Sequence, residues 1–243
     1  MKRTHCSWNP VTGCTKRSAG CAHCYAEGMA TRFQRNGMAK YANGFRLTLH
    51  HDVLEEPLRW RKPRSVFTCS MADLFHEEIP FEFLQKMFSV MERSKQHHFS
   101  ALTKRSTRLA ELAPRLPWGK NLWMGVTVER ADYLYRIDNL RSVPAALRFL
   151  SLEPLLGSLA EINLDGIGWV FVGGEAGPGF RPMKKEWVLE IQQRCREAEV
   201  PFFFKQWGGE GRYRFRDLLD GQVYQEYPPE AVYQPPQLDL FGE

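Results

Sequence analysis

The chain has 243 residues, 43% hydrophobic and 25% charged, ordinary proportions for a globular protein and enough for one large domain or two small ones. They exclude a collagen, a bulk-disordered chain and a disulfide-stapled miniprotein, and no apolar run reaches the ~18 residues that span a bilayer. The net charge of +5 is uneven: Gly221–Glu243 hold four acids and no Lys or Arg, leaving +9 on residues 1–220, a balance that suits a polyanion such as nucleic acid as well as a merely basic surface.

Taken in chain order, Met1–Cys6 offers no apolar core for a secretory signal, so the expected compartment is the cytosol. Helical spacing covers Ala22–Asn36, and a short β-branched run follows at Ser65–Cys69. A helix over Phe81–Lys95 enters after Pro80, where a proline is tolerated. Strand Phe99–Thr103, helix Thr107–Leu116, strand Leu122–Val128 and helix Arg130–Arg141 come next. Strands Leu147–Ser151 and Trp169–Val172, helix Lys185–Glu199 and strand Pro201–Phe204 complete the series. Buried strands alternating with amphipathic helices predict an α/β fold with a parallel sheet, and this many units suit a partial or complete β/α barrel. From about Gln222 the prolines at 228–229 and 235–236 break any period. That divides the chain into a barrel domain, 1–221, and a flexible tail, 222–243.

Chemistry in such barrels sits where strands end. Polar residues gather there: Ser70 and Asp73, Lys104 and Arg105, Thr127 and Glu129, Ser151 and Glu153, Glu175, and Lys205. One cluster alone is as well read as a helix cap. Several in succession predict a single lined cavity.

The cysteines are the sharpest signal. Cys14-x6-Cys21-x2-Cys24 sets three soft ligands on one loop before a helix. Thiolates select zinc or iron–sulfur clusters. A structural zinc needs a fourth ligand, for which Cys6 and His23 are at hand. A catalytic 4Fe-4S cluster needs three thiolates and leaves one iron open. Cys195, inside a helix of apolar period, reads as core.

The stretches Trp8-Asn-Pro-Val-Thr-Gly-Cys14, Cys21-Ala-His-Cys-Tyr-Ala-Glu27, Ser70-Met-Ala-Asp-Leu-Phe75, Leu102-Thr-Lys-Arg105, Gly125-Val-Thr-Val-Glu129, Glu153-Pro-Leu-Leu-Gly157, Val172-Gly-Gly-Glu-Ala-Gly177, Arg181-Pro-Met183 and Phe204-Lys-Gln-Trp-Gly208 run in order along the chain. With them the sequence resembles a phage and prophage family of unknown function, itself similar to a divergent branch of the radical S-adenosylmethionine (SAM) superfamily. Six residues, rather than that superfamily's usual three, separate the first two cysteines. The resemblance implies a 4Fe-4S cluster on Cys14, Cys21 and Cys24, SAM on its open iron, and a 5′-deoxyadenosyl radical that takes hydrogen from substrate. It implies cofactor contacts from His23, Ser70, Asp73, Thr127, Glu129, Ser151 and Glu153. Lys104, Arg105, Glu175, Arg181 and Lys205 become candidates for an anionic substrate. Cys69, beside Ser70, becomes a candidate hydrogen donor, as in the distantly similar spore photoproduct lyases; a small buried apolar residue is the plainer reading. An electron donor such as a flavodoxin or ferredoxin is implied as partner.

Gln237-Leu238-Asp239-Leu240-Phe241 resembles the pentapeptide by which bacterial polymerases and repair enzymes bind the replication sliding clamp. With the basic body it points to DNA, and Arg59–Arg64 is the candidate duplex contact beside a base flipped into the barrel. The expectation is a radical enzyme that modifies, rearranges or repairs a thymine-derived base in a bacterial cytosol or phage-infected cell. The alternatives are a zinc-stabilised DNA-binding module, and a radical SAM enzyme acting on a peptide or small metabolite.

Overall fold

The computed structural model describes residues 4–211 and 217–229. Seven strands form one parallel sheet: β1 (Thr4–Trp8), β2 (Arg64–Thr68), β3 (His98–Thr103), β4 (Leu122–Thr127), β5 (Leu147–Leu152), β6 (Trp169–Gly173) and β7 (Phe202–Gln206). Each strand lies beside the next in the chain. Among the described residues β1 does not pair with β7, so the barrel is partial. The period of two divides the sheet into faces. Val66, Ala101, Met124, Val126, Leu150, Val170 and Phe204 point to one side and belong to the main core. His5, Ser65, Ser100, Leu102, Thr127, Phe149, Ser151 and Phe171 point to the other and line a cavity.

Helices α1 (Tyr25–Arg35), α2 (Phe81–Arg93), α3 (Ser106–Leu112), α4 (Tyr135–Arg141) and α5 (Lys185–Glu197) carry the crossovers. The i, i+3, i+4 rows of α2 bury Phe83, Leu84, Met87, Phe88 and Met91, and α5 buries Val188, Ile191 and Cys195. Cys195 is thus a core residue, as expected. No helix among the described residues is long and apolar enough to cross a membrane.

Residues just past the expected boundary at 221 contact the sheet. Phe204 N–H donates to Tyr224 O at 2.8 Å and Glu226 N–H to Phe202 O at 3.2 Å, with Phe203 opposite Gln225 in an antiparallel bridge. Trp169 Nε1 donates to Glu226 O at 2.8 Å, and Tyr227 packs on Trp169 and Phe203 at 5.4 and 5.7 Å. Residues 224–227 therefore cover the edge of β7 and satisfy backbone groups that an edge strand leaves open. Pro228 and Pro229 follow directly on this bonded stretch. The clamp-like peptide 237–241 lies outside the described residues.

Candidate active site: a thiol-bearing mouth at the strand ends

The concave face encloses about 1480 Å³. At the carboxyl ends of the strands the cavity is lined by Asn9, Ser70, Lys104, Thr127, Ser151, Glu153, Glu175 and Lys205, and by Cys21, His23 and Cys24 of the cysteine loop. Deeper in, Trp123, Phe149, Trp169 and Phe171 form an aromatic wall. Gly125 is required there, because a Cβ on it would stand 2.3 Å from the Phe149 ring.

The polar floor has one conspicuous vacancy in its hydrogen bonding. Thr127 is 1% exposed and its Oγ1 has no partner. Burying a hydroxyl without a bond costs roughly 1–3 kcal/mol. Beside it, Ser151 Oγ donates to Glu153 Oε2 at 3.3 Å, and Glu153 Oε1 lies 3.3 Å from Lys205 Nζ. Gly173 makes room for that carboxylate, since its Cβ would lie 2.4 Å from Oε1. On the other side Ser70 Oγ and Asn9 share bonds of 3.1 and 3.2 Å, and Tyr25 Oη donates to Ser70 O at 2.5 Å. These groups are built to meet a polar small molecule.

Six of the residues expected in this site do not line the cavity. Cys69 is 4% exposed and packs in the main core. Its backbone is left-handed, φ 59°, with its N–H on Trp8 O. Burial pushes the Cys69 thiol up to about 12, so it is a small apolar residue here. Asp73 has no free lone pair aimed at the cavity. It accepts from Thr103 Oγ1 at 2.6 Å, Lys104 N–H at 3.0 Å, Phe75 N–H at 2.9 Å and Arg105 Nη1 at 3.1 Å.

The other four are Glu129, Arg181, Arg105 and Cys14, and they meet at the cysteine loop. Glu129 is fully buried, accepts from Arg136 Nη1 at 2.9 Å and from Ser18 Oγ, and rests against Gly20. Arg181 donates through Nη2 to Ala19 O at 2.9 Å and clasps Glu175 through Nε and its backbone N–H, each at 2.9 Å. Burial alone would raise the Glu175 carboxyl, but the Arg181 hydrogen bonds outweigh it and hold it below its ordinary value. Tyr133 Oη receives Ala19 N–H at 3.2 Å, and His23 Nδ1 lies 3.2 Å from Pro178 O. Thus side chains pin the loop after β1 to the loops after β4 and β6.

Arg105, 4% exposed, occupies the near side of the loop. It bonds Asp73, Glu77, Thr15 and, at 3.5 Å, the Cys14 sulfur. Burial raises the Cys14 thiol and nearby Asp73 adds to this, with Arg105 pulling the other way. Cys14 does not line the cavity, whereas Cys21 and Cys24 do. Among the described residues no three His, Cys, Asp or Glu side chains converge as a metal site. The donor chemistry is that of a soft metal or cluster, but the loop as it stands does not fit one, because its first thiol is turned to Arg105. No four-ligand zinc site converges either, among the same residues.

Sequence reasoning passed over Ser18, Gly20 and Arg136, which hold the loop. Arg136 was readable as a charge on the buried face of a helical pattern, 1% exposed in the fold.

Fold and site together define a partial parallel β/α barrel whose cavity opens beneath a three-cysteine loop. The chain belongs to a family of proteins of unknown function, DUF5131, whose profile matches residues 1–228. No curated protein matches it. Among solved structures it is similar to spore photoproduct lyase complexed with dinucleoside spore photoproduct, at 12% identity and TM-score 0.49, over 79% of this chain and 61% of that one. A mutant of that enzyme with bound AdoMet and dinucleoside spore photoproduct gives 12% and 0.45, over 77% and 59%. The chain therefore spans about three fifths of these structures' length.

Proposed function

We propose that this protein is a radical SAM enzyme acting on a base in phage or bacterial DNA. The observation that carries this reading is the mouth itself: Cys21 and Cys24 border the same cavity as the unpartnered, buried Thr127 hydroxyl. A small polar molecule held on that floor would share the cavity with the two thiols. His23, Ser70, Thr127, Ser151 and Glu153, all on the cavity lining, would hold SAM there. Lys104 and Lys205, both on the lining, meet a phosphate of the substrate. The aromatic wall takes a flat ring. The excess of +9 over residues 1–220 favours a polyanionic partner. Residues 237–241 recruit the protein to the sliding clamp, where tethering raises its concentration on DNA. A flavodoxin or ferredoxin supplies the electron.

The test is anaerobic purification and reconstitution, with iron and sulfide counted. Release of 5′-deoxyadenosine from SAM is then followed with and without DNA carrying ordinary or modified thymine. Stimulation by DNA is the expected result. Colourless protein with stoichiometric zinc would establish the DNA-binding module instead. Cleavage that responds only to a peptide or metabolite would reassign the substrate.

A further inference from the structure

We infer that Phe67 and Trp123 form a slot on the concave face that takes one unpaired base of a DNA strand, with the Ser100 hydroxyl between them meeting the polar edge of that base. The inference deepens the proposed function and rests on its reading that the partner is DNA.

The register of the sheet builds the slot. Ser7 lies opposite Phe67, Phe67 opposite Ser100, and Ser100 opposite Trp123, so the four stand side by side on β1 to β4. All four line the cavity. Inward positions of a closed β/α barrel carry bulky branched side chains that fill its interior. Here hydroxyl and ring alternate along the row, and the small serines leave the space beside each ring to the cavity.

The spacing suits a single flat ring. Neighbouring strands lie about 4.8 Å apart, so Phe67 and Trp123, two strands apart, rise from backbones about 9–10 Å apart. On a concave face their ends converge. A ring packed on both sides needs its neighbours about 7 Å apart, at ~3.5 Å per contact. One ring fits between them and two do not. Trp123 is held from the side away from Phe67: it meets His98 edge to face at 4.2 Å and Trp169 at 6.0 Å between centroids. Phe67 stays half-buried and open to the cavity.

The chemistry between the rings selects among flat molecules. Ser100 is half-buried, and no group among the described residues bonds its hydroxyl. A hydroxyl both donates and accepts, which matches the carbonyl and N–H groups on the edge of a base; a hydrocarbon ring would leave it unpaired. A paired, stacked base cannot enter a space one ring wide. An unpaired base can, and enzymes that act on a base hold it in this manner, stacked between side chains with its edge hydrogen-bonded. Lys104 and Lys205, on the same lining, offer cations to the flanking phosphates.

A single-stranded DNA oligonucleotide carrying one 5-iodouracil in place of thymine tests the slot, because on irradiation this base joins to an aromatic ring stacked against it. The full-length protein is irradiated with it under anaerobic conditions and the adduct is mapped by mass spectrometry. The expected adduct is on Phe67 or Trp123. Thymidine monophosphate should compete for it, and deoxyribose 5-phosphate, which lacks the base, should not. Ser100→Leu puts a branched side chain in the place of the base and should lower the yield about tenfold. Ser100→Ala keeps the slot open, so the adduct should persist, while about fivefold more thymidine monophosphate is needed to compete, in keeping with loss of one hydrogen bond. Adducts only outside the cavity, or none with wild type, would overturn the inference without need of any variant. So would competition by the sugar phosphate equal to that by the nucleotide, or a yield that a folded Ser100→Leu leaves unchanged. Thymidine monophosphate that quenches tryptophan fluorescence in a protein the oligonucleotide does not label would overturn it too, and would assign the slot to a free nucleotide. Labelling needs neither iron nor SAM. An adduct in the slot without SAM cleavage therefore defeats the enzyme reading alone, and DNA-stimulated cleavage with adducts only elsewhere defeats the slot alone.

Discussion

Gly20 lies where the cysteine loop crosses the buried Glu129 carboxylate, and a Cβ there would stand 2.6 Å from Oε1. Gly20→Ala must displace either the loop or a carboxylate held by Arg136. Overpacking of this kind costs about 1–3 kcal/mol. The expected outcome is a matching fall in stability, read by urea denaturation. Thr127→Val should behave in the opposite way. It deletes a hydroxyl that the protein itself leaves unbonded, so stability should stay within about 1 kcal/mol of wild type. SAM affinity, measured by equilibrium dialysis, should fall about tenfold for the loss of one hydrogen bond. Unchanged affinity would remove Thr127 from the cofactor floor. The Glu175–Arg181 clasp carries a pH signature. Its folded carboxyl lies below the ordinary value of 4.5, so its stabilisation is present above that pH and is lost as pH falls through the folded value. The stability advantage of wild type over Glu175→Gln should therefore be full near neutrality, begin to fall below about pH 4.5 and be gone below the folded value.

At the scale of elements, six of the seven strands of the sheet were legible and β1 was not. Leu122–Thr127 is buried along its whole length and announces itself. Thr4–Trp8 pairs in register with β2, yet His5 and Ser7 face the cavity, so no alternation of apolar residues marks it. The strand-end residues were found for a sound reason, since barrel loops collect polar groups. Which of them face inward was not readable. That is decided by tertiary contacts such as Arg181 with Ala19 and Glu129 with Ser18, some 162 and 111 residues apart. The contacts of residues 224–227 with β6 and β7 were not legible, because backbone bonding along one edge strand needs no apolar pattern of its own. A chain ended at Gly221 loses the Tyr227 packing and the bonds of Tyr224 and Glu226 to β7. Losing about 3 kcal/mol in a domain of this size lowers the melting temperature by roughly 6–12 °C. The bare edge should also promote aggregation. A chain ended at 229 retains those contacts and should melt as the full protein does; light scattering with a thermal melt separates the two.

On the scale of the whole molecule, the placement of charge changes how DNA must approach. Arg59, Arg61 and Lys62 are exposed, and Arg64 opens β2 with its guanidinium 4.4 Å above the Trp60 ring. This basic stretch therefore sits at the amino ends of the strands, whereas the thiols stand at the carboxyl ends. Strands of 5–6 residues separate those ends by about 17–20 Å at ~3.3 Å per residue. A phosphodiester strand advances about 3.4 Å per nucleotide, so some five or six nucleotides fit along that distance. One base flipped from a duplex seated on Arg59–Arg64 does not cover it, and the duplex contact expected there is not the flank of the active mouth. Lys104 and Lys205 are the cations on the cavity lining near the thiols. Neutralising Arg59, Arg61 and Lys62 together should lower overall DNA affinity and flatten its salt dependence by up to about three phosphate contacts. DNA-stimulated SAM cleavage at saturating DNA should stay nearly intact in that variant. Lys104→Gln or Lys205→Gln should reduce cleavage while leaving most of the salt slope in place. If the triple variant abolishes cleavage even at saturation, the substrate enters from the amino-end rim and the strand threads the half-barrel from below.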